Sequence, residues 1–139
     1  METGEVRRRL QHAIERARRG AGERRARNEE ATRVFTDFLD QVAVPLFKQI
    51  ANVLRVENYP FTVFTPSNSV RLMSDKSADD YIEIALDTSD TEPRVMAHIS
   101  RSRGRRVTDE ERAIGNPDTL TEEDLFAFLL KEIEPFVER

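Results

Sequence analysis

Two short segments constrain the fold more than anything else in the chain. Tyr81–Asp87 alternates so that Ile82, Ile84 and Leu86 share one face, and Arg94–Ser100 alternates so that Val95, Ala97 and Ile99 do the same. Side chains in a strand alternate sides with a period of two, so these segments predict strands with one buried and one open face. One-sided strands of this kind belong to antiparallel sheets. The buried face then needs a cover, and the rest of the chain must supply it.

Further strands are expected on either side. Tyr59–Thr65 is rich in aromatic and β-branched residues, and Pro66–Ser69 follows with turn chemistry. Val70–Ser74 reads as the returning strand of a hairpin. A last, weaker strand is expected through Arg105–Thr108, after a turn at Ser102–Gly104. His98 falls among the residues that point away from the core.

The cover is legible as two helices. From Asn28 onward an apolar series runs through Ala31, Val34, Phe35, Phe38, Leu39, Val42, Leu46, Ile50, Val53 and Leu54, an amphipathic stripe of more than six turns. Asn28 is the expected N-cap, with Glu29 and Glu30 in the first turn. Pro45 lies inside the stripe and should kink or divide the helix near Val44, because it lacks a backbone donor and crowds the preceding turn. At the other end, Thr121 precedes Glu123 and Asp124 as a capping residue. Leu125, Leu129, Ile133 and Phe136 mark the centre of a closing helix whose apolar arc is widened by Phe126, Phe128, Leu130 and Val137. The expected fold class is α+β: a long N-terminal helix kinked near Pro45, an antiparallel meander of four to five strands and a C-terminal helix, both helices on one sheet face.

Residues 1–27 are set apart from a single α+β domain over residues 28–139. Val6, Leu10, Ala13, Ile14 and Ala17 form one narrow stripe on a helix expected over residues 5–27. Gly20 and Gly22 interrupt it, at about 1 kcal/mol each relative to alanine. Such an arm is expected to be frayed, or ordered only against a partner or a second copy of itself. If it self-associates, Leu10, Ile14 and Ala17 should face the mate.

Charge divides along the same line. The chain is 139 residues long with a net charge of −4, yet residues 1–35 hold ten arginines against six acids. Residues 94–106 hold five arginines and no acid, while residues 36–93 and 107–139 are both acidic. Segregated charge steers partners or docks one part of a chain on another. Arginine favours bidentate pairing with carboxylates or phosphates.

Chemistry has little to work with. The chain contains no cysteine, which excludes disulfides, thiolate metal sites and cysteine nucleophiles. His12 and His98 are far apart and have no metal-ligand spacing. Asp75, Asp79, Asp80, Asp87 and Asp90 cluster around the third strand without the calcium-loop pattern, so turn roles are expected and no metal. The five glycines make no phosphate loop, and no serine stands in a nucleophile elbow. No catalytic residue and no cofactor is expected. No apolar run has the length of a membrane span, and the arm has too few apolar residues for a membrane surface. The start of the chain leads from Arg7–Arg9 into more charge, unlike a secretory leader.

The function expected is a small cytoplasmic adaptor or interaction domain that contacts another protein, or a second copy of itself, through its arginine-rich helix. Arg7, Leu10, Ile14, Arg18 and Arg25 in the arm, with Arg103, Arg105 and Arg106 at the turn, are the expected partner-binding residues. The alternative is a nucleic-acid-associated protein that binds phosphates through Arg7–Arg27 and Arg101–Arg106. No base-stacking aromatics accompany these arginines. A lesser alternative is an enzyme with a pocket on the open sheet face, where Arg71, Tyr81, Glu83, Met96 and His98 share one side if strands pair in sequence order.

Overall fold

The N-terminal third of the chain is helical almost without pause. The computed structural model describes residues 1–138; Arg139, the last residue of the expected domain, lies outside the described residues. Helix α1 runs over Thr3–Phe38, passes through a π-helical turn at Leu39–Ala43, and continues as α2 over Val44–Val56. The π turn answers Pro45. Proline removes a donor and its ring presses on the carbonyl four residues back, and a wider turn relieves both. Within that turn the Val44 N–H donates to the Leu39 carbonyl, five residues back.

One expectation about α1 is corrected. Asn28 does not start a helix: it sits inside α1, and its carbonyl accepts from the Thr32 hydroxyl at 2.8 Å. Gly20 and Gly22 lie within the same helix. The physical reason is cooperativity. Nucleation is the costly step, and a helix already anchored at Ala31–Phe38 adds each further turn at small cost, two glycines included.

Five strands follow in a meander of order β1-β2-β3-β4-β5, all neighbours antiparallel. They span Phe61–Phe64, Ser69–Ser74, Tyr81–Asp87, Arg94–Arg103 and Arg106–Gly115. The last strand is far longer than the Arg105–Thr108 expected. Its extra residues, Asp109 to Gly115, show no alternation because β5 is an edge strand held by its β4 ladder. Gly104, at φ 62°, makes the tight β4–β5 turn that leaves Arg103 opposite Arg106. Helix α3 closes the chain over Glu122–Val137. Its capping box is complete, with Asp124 N–H donating to the Thr121 hydroxyl at 3.1 Å and Thr121 N–H to the Asp124 carboxylate at 3.2 Å.

Both helical segments cover one sheet face. Val70, Leu72, Ile82, Ile84, Val95, Ala97 and Ile99 point inward and form one core with Phe35, Leu39, Phe47, Leu54, Leu125, Leu129 and Phe136. Phe61 on β1 meets Phe136 of α3 edge to face at 5.9 Å. The architecture is thus a two-layer α+β fold with an uncovered outer sheet face.

Candidate functional site

The arm is the first candidate. Thr3–Phe38 is 36 residues, about 54 Å of helix at 1.5 Å per residue. Ala31 and Phe35 are its buried residues, both in the last two turns. Farther back, Ala21, Arg24, Arg25 and Asn28 border a crevice against the β3–β4 loop at Thr88–Thr91. Val6, Leu10 and Ile14 are exposed, at 44%, 58% and 41%. At 100° per residue, Val6, Leu10, Ala13, Ile14, Ala17 and Ala21 fall in the same arc of about 100° as Ala31 and Phe35. The stripe that packs on the core therefore continues, interrupted by Arg24 and Asn28, along the exposed part of the helix.

Arginines line both margins of that stripe: Arg7, Arg18 and Arg25 on one side, Arg9, Arg16 and Arg27 on the other. Glu5 engages Arg8 and Arg9 at 2.7 and 2.9 Å. Among the described residues, Arg7, Arg16, Arg18, Arg19, Arg24, Arg25 and Arg27 form no ion pair.

The second basic block divides. Arg103, Arg105 and Arg106 are exposed at the β4–β5 turn. Arg101 is not part of that cluster, a correction to the expected Arg101–Arg106 phosphate surface. It shares the inward parity of Val95, Ala97 and Ile99, passes beneath α3 and donates to Glu132 at 2.6 Å. Arg112 on β5 donates to the other oxygen of the same carboxylate. Glu132 is 4% exposed. Burial alone would raise its pKa, but hydrogen bonds from Arg112 and Arg101 and their charge outweigh that and hold the carboxyl below its usual range. This buried triad escaped the sequence reading, although Glu132 lies on the stripe of Leu125, Leu129 and Phe136. A lone acid at a core position of a helix is the signal that was there to find.

The structure does not bring the two expected contact clusters together. The arm passes the β3–β4 loop at one end of β4, while Arg103, Arg105 and Arg106 sit at the other. Ten residues of strand separate the ends, about 30 Å at 3.3 Å per residue.

The outer sheet face is the second candidate, and strand order does place Arg71, Tyr81, Glu83, Met96 and His98 on it. One row across the sheet reads Phe64, Arg71, Glu83, His98 and Glu111; the next reads Ser69, Ala85, Met96 and Ala113. Arg71 donates to Glu83 at 3.0 Å and lies 4.1 Å over the Tyr81 ring. His98 meets Tyr81 edge on at 5.3 Å and shares a 3.0 Å hydrogen bond with Asp109. Burial pushes the Tyr81 hydroxyl up, Asp109, Glu83 and Asp79 add to that, and Arg71 opposes it. A shallow open depression lies here, bordered by Glu83, Asp87, Met96, His98 and Glu111. The titratable groups answer one another, and no serine or threonine hydroxyl is within hydrogen-bond reach of His98 among the described residues, so the nucleophile–base pairing of a hydrolase is not assembled.

Of the clustered aspartates, Asp87 and Asp90 bind locally, to Ser89 and Arg94. Asp75 instead joins elements by binding Arg55 and Thr62, and buried Asp80 accepts from the Ser102 N–H at 2.7 Å. Among the described residues no group of three or more histidines and acids is arranged to hold a metal ion. No helix among them is long and apolar enough to cross a membrane. Comparison with known proteins adds no relative: no protein-family model, no curated protein and no solved structure matches the chain.

Proposed function

We propose that the chain is a non-catalytic, cytoplasmic interaction protein whose α1 arm is its contact element, reaching another protein or a second subunit. One observation carries this reading. The apolar stripe that seals α1 to the core continues in phase along a segment with no cover, where Leu10 is 58% exposed between two rows of arginines, of which only Arg9 forms an ion pair among the described residues. Apolar residues in phase on an exposed helix face are the pattern of a helix that docks on another surface. Arg7, Leu10, Ile14, Arg18 and Arg25 are the contact residues in this proposal, with Arg103, Arg105 and Arg106 a separate cationic point at the far end of β4.

A nucleic-acid role is favoured less. A phosphate backbone would leave the apolar stripe unused, Arg101 is committed to Glu132, and the domain beyond residue 35 carries a net charge of −8. The test is retention from source-cell extract by the immobilised full chain and by a Leu10→Asp/Ile14→Asp variant, each with and without nuclease. A bound protein that survives nuclease and is lost with the variant is the expected result. Nuclease-sensitive material held equally by both would overturn the reading in favour of phosphate binding.

A further inference from the structure

The arm and the outer sheet face are complementary. The arm offers a narrow stripe of mostly small residues, Ala13, Ala17 and Ala21 beside Leu10 and Ile14, with arginines along both margins. On the outer face, Ala85, Met96 and Ala113 form a row across β3, β4 and β5. A shallow depression lies over Ala85 and Met96, bordered by Glu83, Asp87, His98 and Glu111, and exposed Ala113 is next in the row on β5. Glu83 is paired with Arg71 and Asp87 is bonded to Ser89, while the Glu111 carboxylate forms no hydrogen bond or ion pair among the described residues.

Size matches as well. Five strands spaced about 4.8 Å apart make a sheet about 19 Å across between its edge strands. About thirteen residues of helix cover that distance, the length of Val6–Arg18. The arm is in line with a helix fixed to the inner side of its own sheet, so its own outer face is out of reach. Only another molecule presents that face to it. Pairing one arm with another would set the arginine margins against each other, because both margins of the stripe are cationic.

Resting on the reading of the arm as the contact element, we propose that its occupant is a second copy of this chain. In this dimer each arm lies across the partner's outer sheet face, Leu10 and Ile14 over the Ala85–Met96–Ala113 row and the flanking arginines against Glu83, Asp87 and Glu111. Exchange of two arms makes the contact isologous and closed, as a two-fold dimer requires. Charge complementarity makes it sensitive to salt.

Sedimentation equilibrium of the full chain tests this. A dimer is expected at low salt, with dissociation at least tenfold stronger in 0.5 M salt. Leu10→Asp in the arm and Ala113→Arg on the sheet should each weaken the dimer at least tenfold while circular dichroism stays that of the parent; Glu111→Arg, at an exposed position, serves as a second sheet variant. Mixing the arm variant with the sheet variant should recover a heterodimer, because an intact arm then meets an intact sheet face once. A chain that stays monomeric at about 200 μM in low salt overturns the dimer, and leaves the retention experiment to judge the arm by itself. A dimer lost with Leu10→Asp but untouched by Ala113→Arg and Glu111→Arg overturns it too, since the arm would then be pairing with an arm.

Discussion

The two halves of α1 are one helix by backbone and two different objects by environment. From Ala31 to Phe38 the helix is anchored: Phe35 is fully buried and stacks with Phe38 at 6.5 Å between ring centroids. Before Ala21 it holds itself together with its own hydrogen bonds and short-range ion pairs such as Glu5 with Arg8 and Arg9. The same 3.6-residue periodicity runs through both. What separates them is side-chain volume on the stripe, phenylalanine at Phe35 and Phe38 in one half, and in the other three alanines interspersed with Val6, Leu10 and Ile14. The alanines remove little apolar area from water, although they allow another backbone to come close.

The sharpest break of this comparison is in the body. Phe47→Ala should destabilise the fold by about 3–5 kcal/mol, the range for truncating a buried phenylalanine, whereas Leu10→Ala should shift it by less than about 0.5 kcal/mol. Urea unfolding of both variants checks this. Equal effects would mean that the arm is part of the core.

Glu132→Ala comes next. It leaves Arg101 under α3 without a carboxylate and Arg112 with Glu110 alone, and about 2–3 kcal/mol is expected. Breaking a buried pair removes about 3–5 kcal/mol, and both arginines can turn partly to water here. The same carboxylate sets an acid limit. Its folded pKa lies below the unfolded value, so its contribution is complete above the ordinary glutamate range and is lost as pH falls through the lowered folded value. Stability of the parent should therefore drop more steeply on acidification than that of Glu132→Gln, measured as denaturation midpoints from pH 6 down to pH 3.

Thr121→Ala removes the hydroxyl half of the α3 capping box and should cost about 1 kcal/mol by the same unfolding measurement. Smallest on global stability is Gly20→Ala/Gly22→Ala. An added Cβ at Gly20 meets Arg24 at an ordinary 3.6 Å and at Gly22 meets nothing within 4 Å. Helix signal and amide protection in the arm should rise, with up to about 1 kcal/mol of local helix stability per site, while the urea midpoint stays put. A moved midpoint would show that arm and body unfold as one.

Much of this was written in local pattern. Alternation located Tyr81–Asp87 and the start of β4 to the residue, and Pro45 marked the π turn. Thr121 marked the start of α3. The misses share one cause. Asn28 has every local mark of a helix start, yet the helix passes through it because neighbouring turns were already formed. Asp109–Gly115 has no strand pattern, because an edge strand exposed on both sides of much of its length has no alternation to display. Arg101 and Arg112 carry no local mark of burial, because it depends on α3 lying across them.

The sequence by itself determined the fold class, the covered face of the sheet and the unequal charge of arm and body. These follow from periodicity and composition, which act over one or two turns or a single strand. Only the tertiary structure decided that α1 continues through Asn28, that Glu132 gathers two arginines beneath α3, and that Ala85, Met96 and Ala113 line up in one row. Each of these depends on residues far apart in the chain meeting through sheet register or helix packing, and that proximity is not encoded in any local stretch.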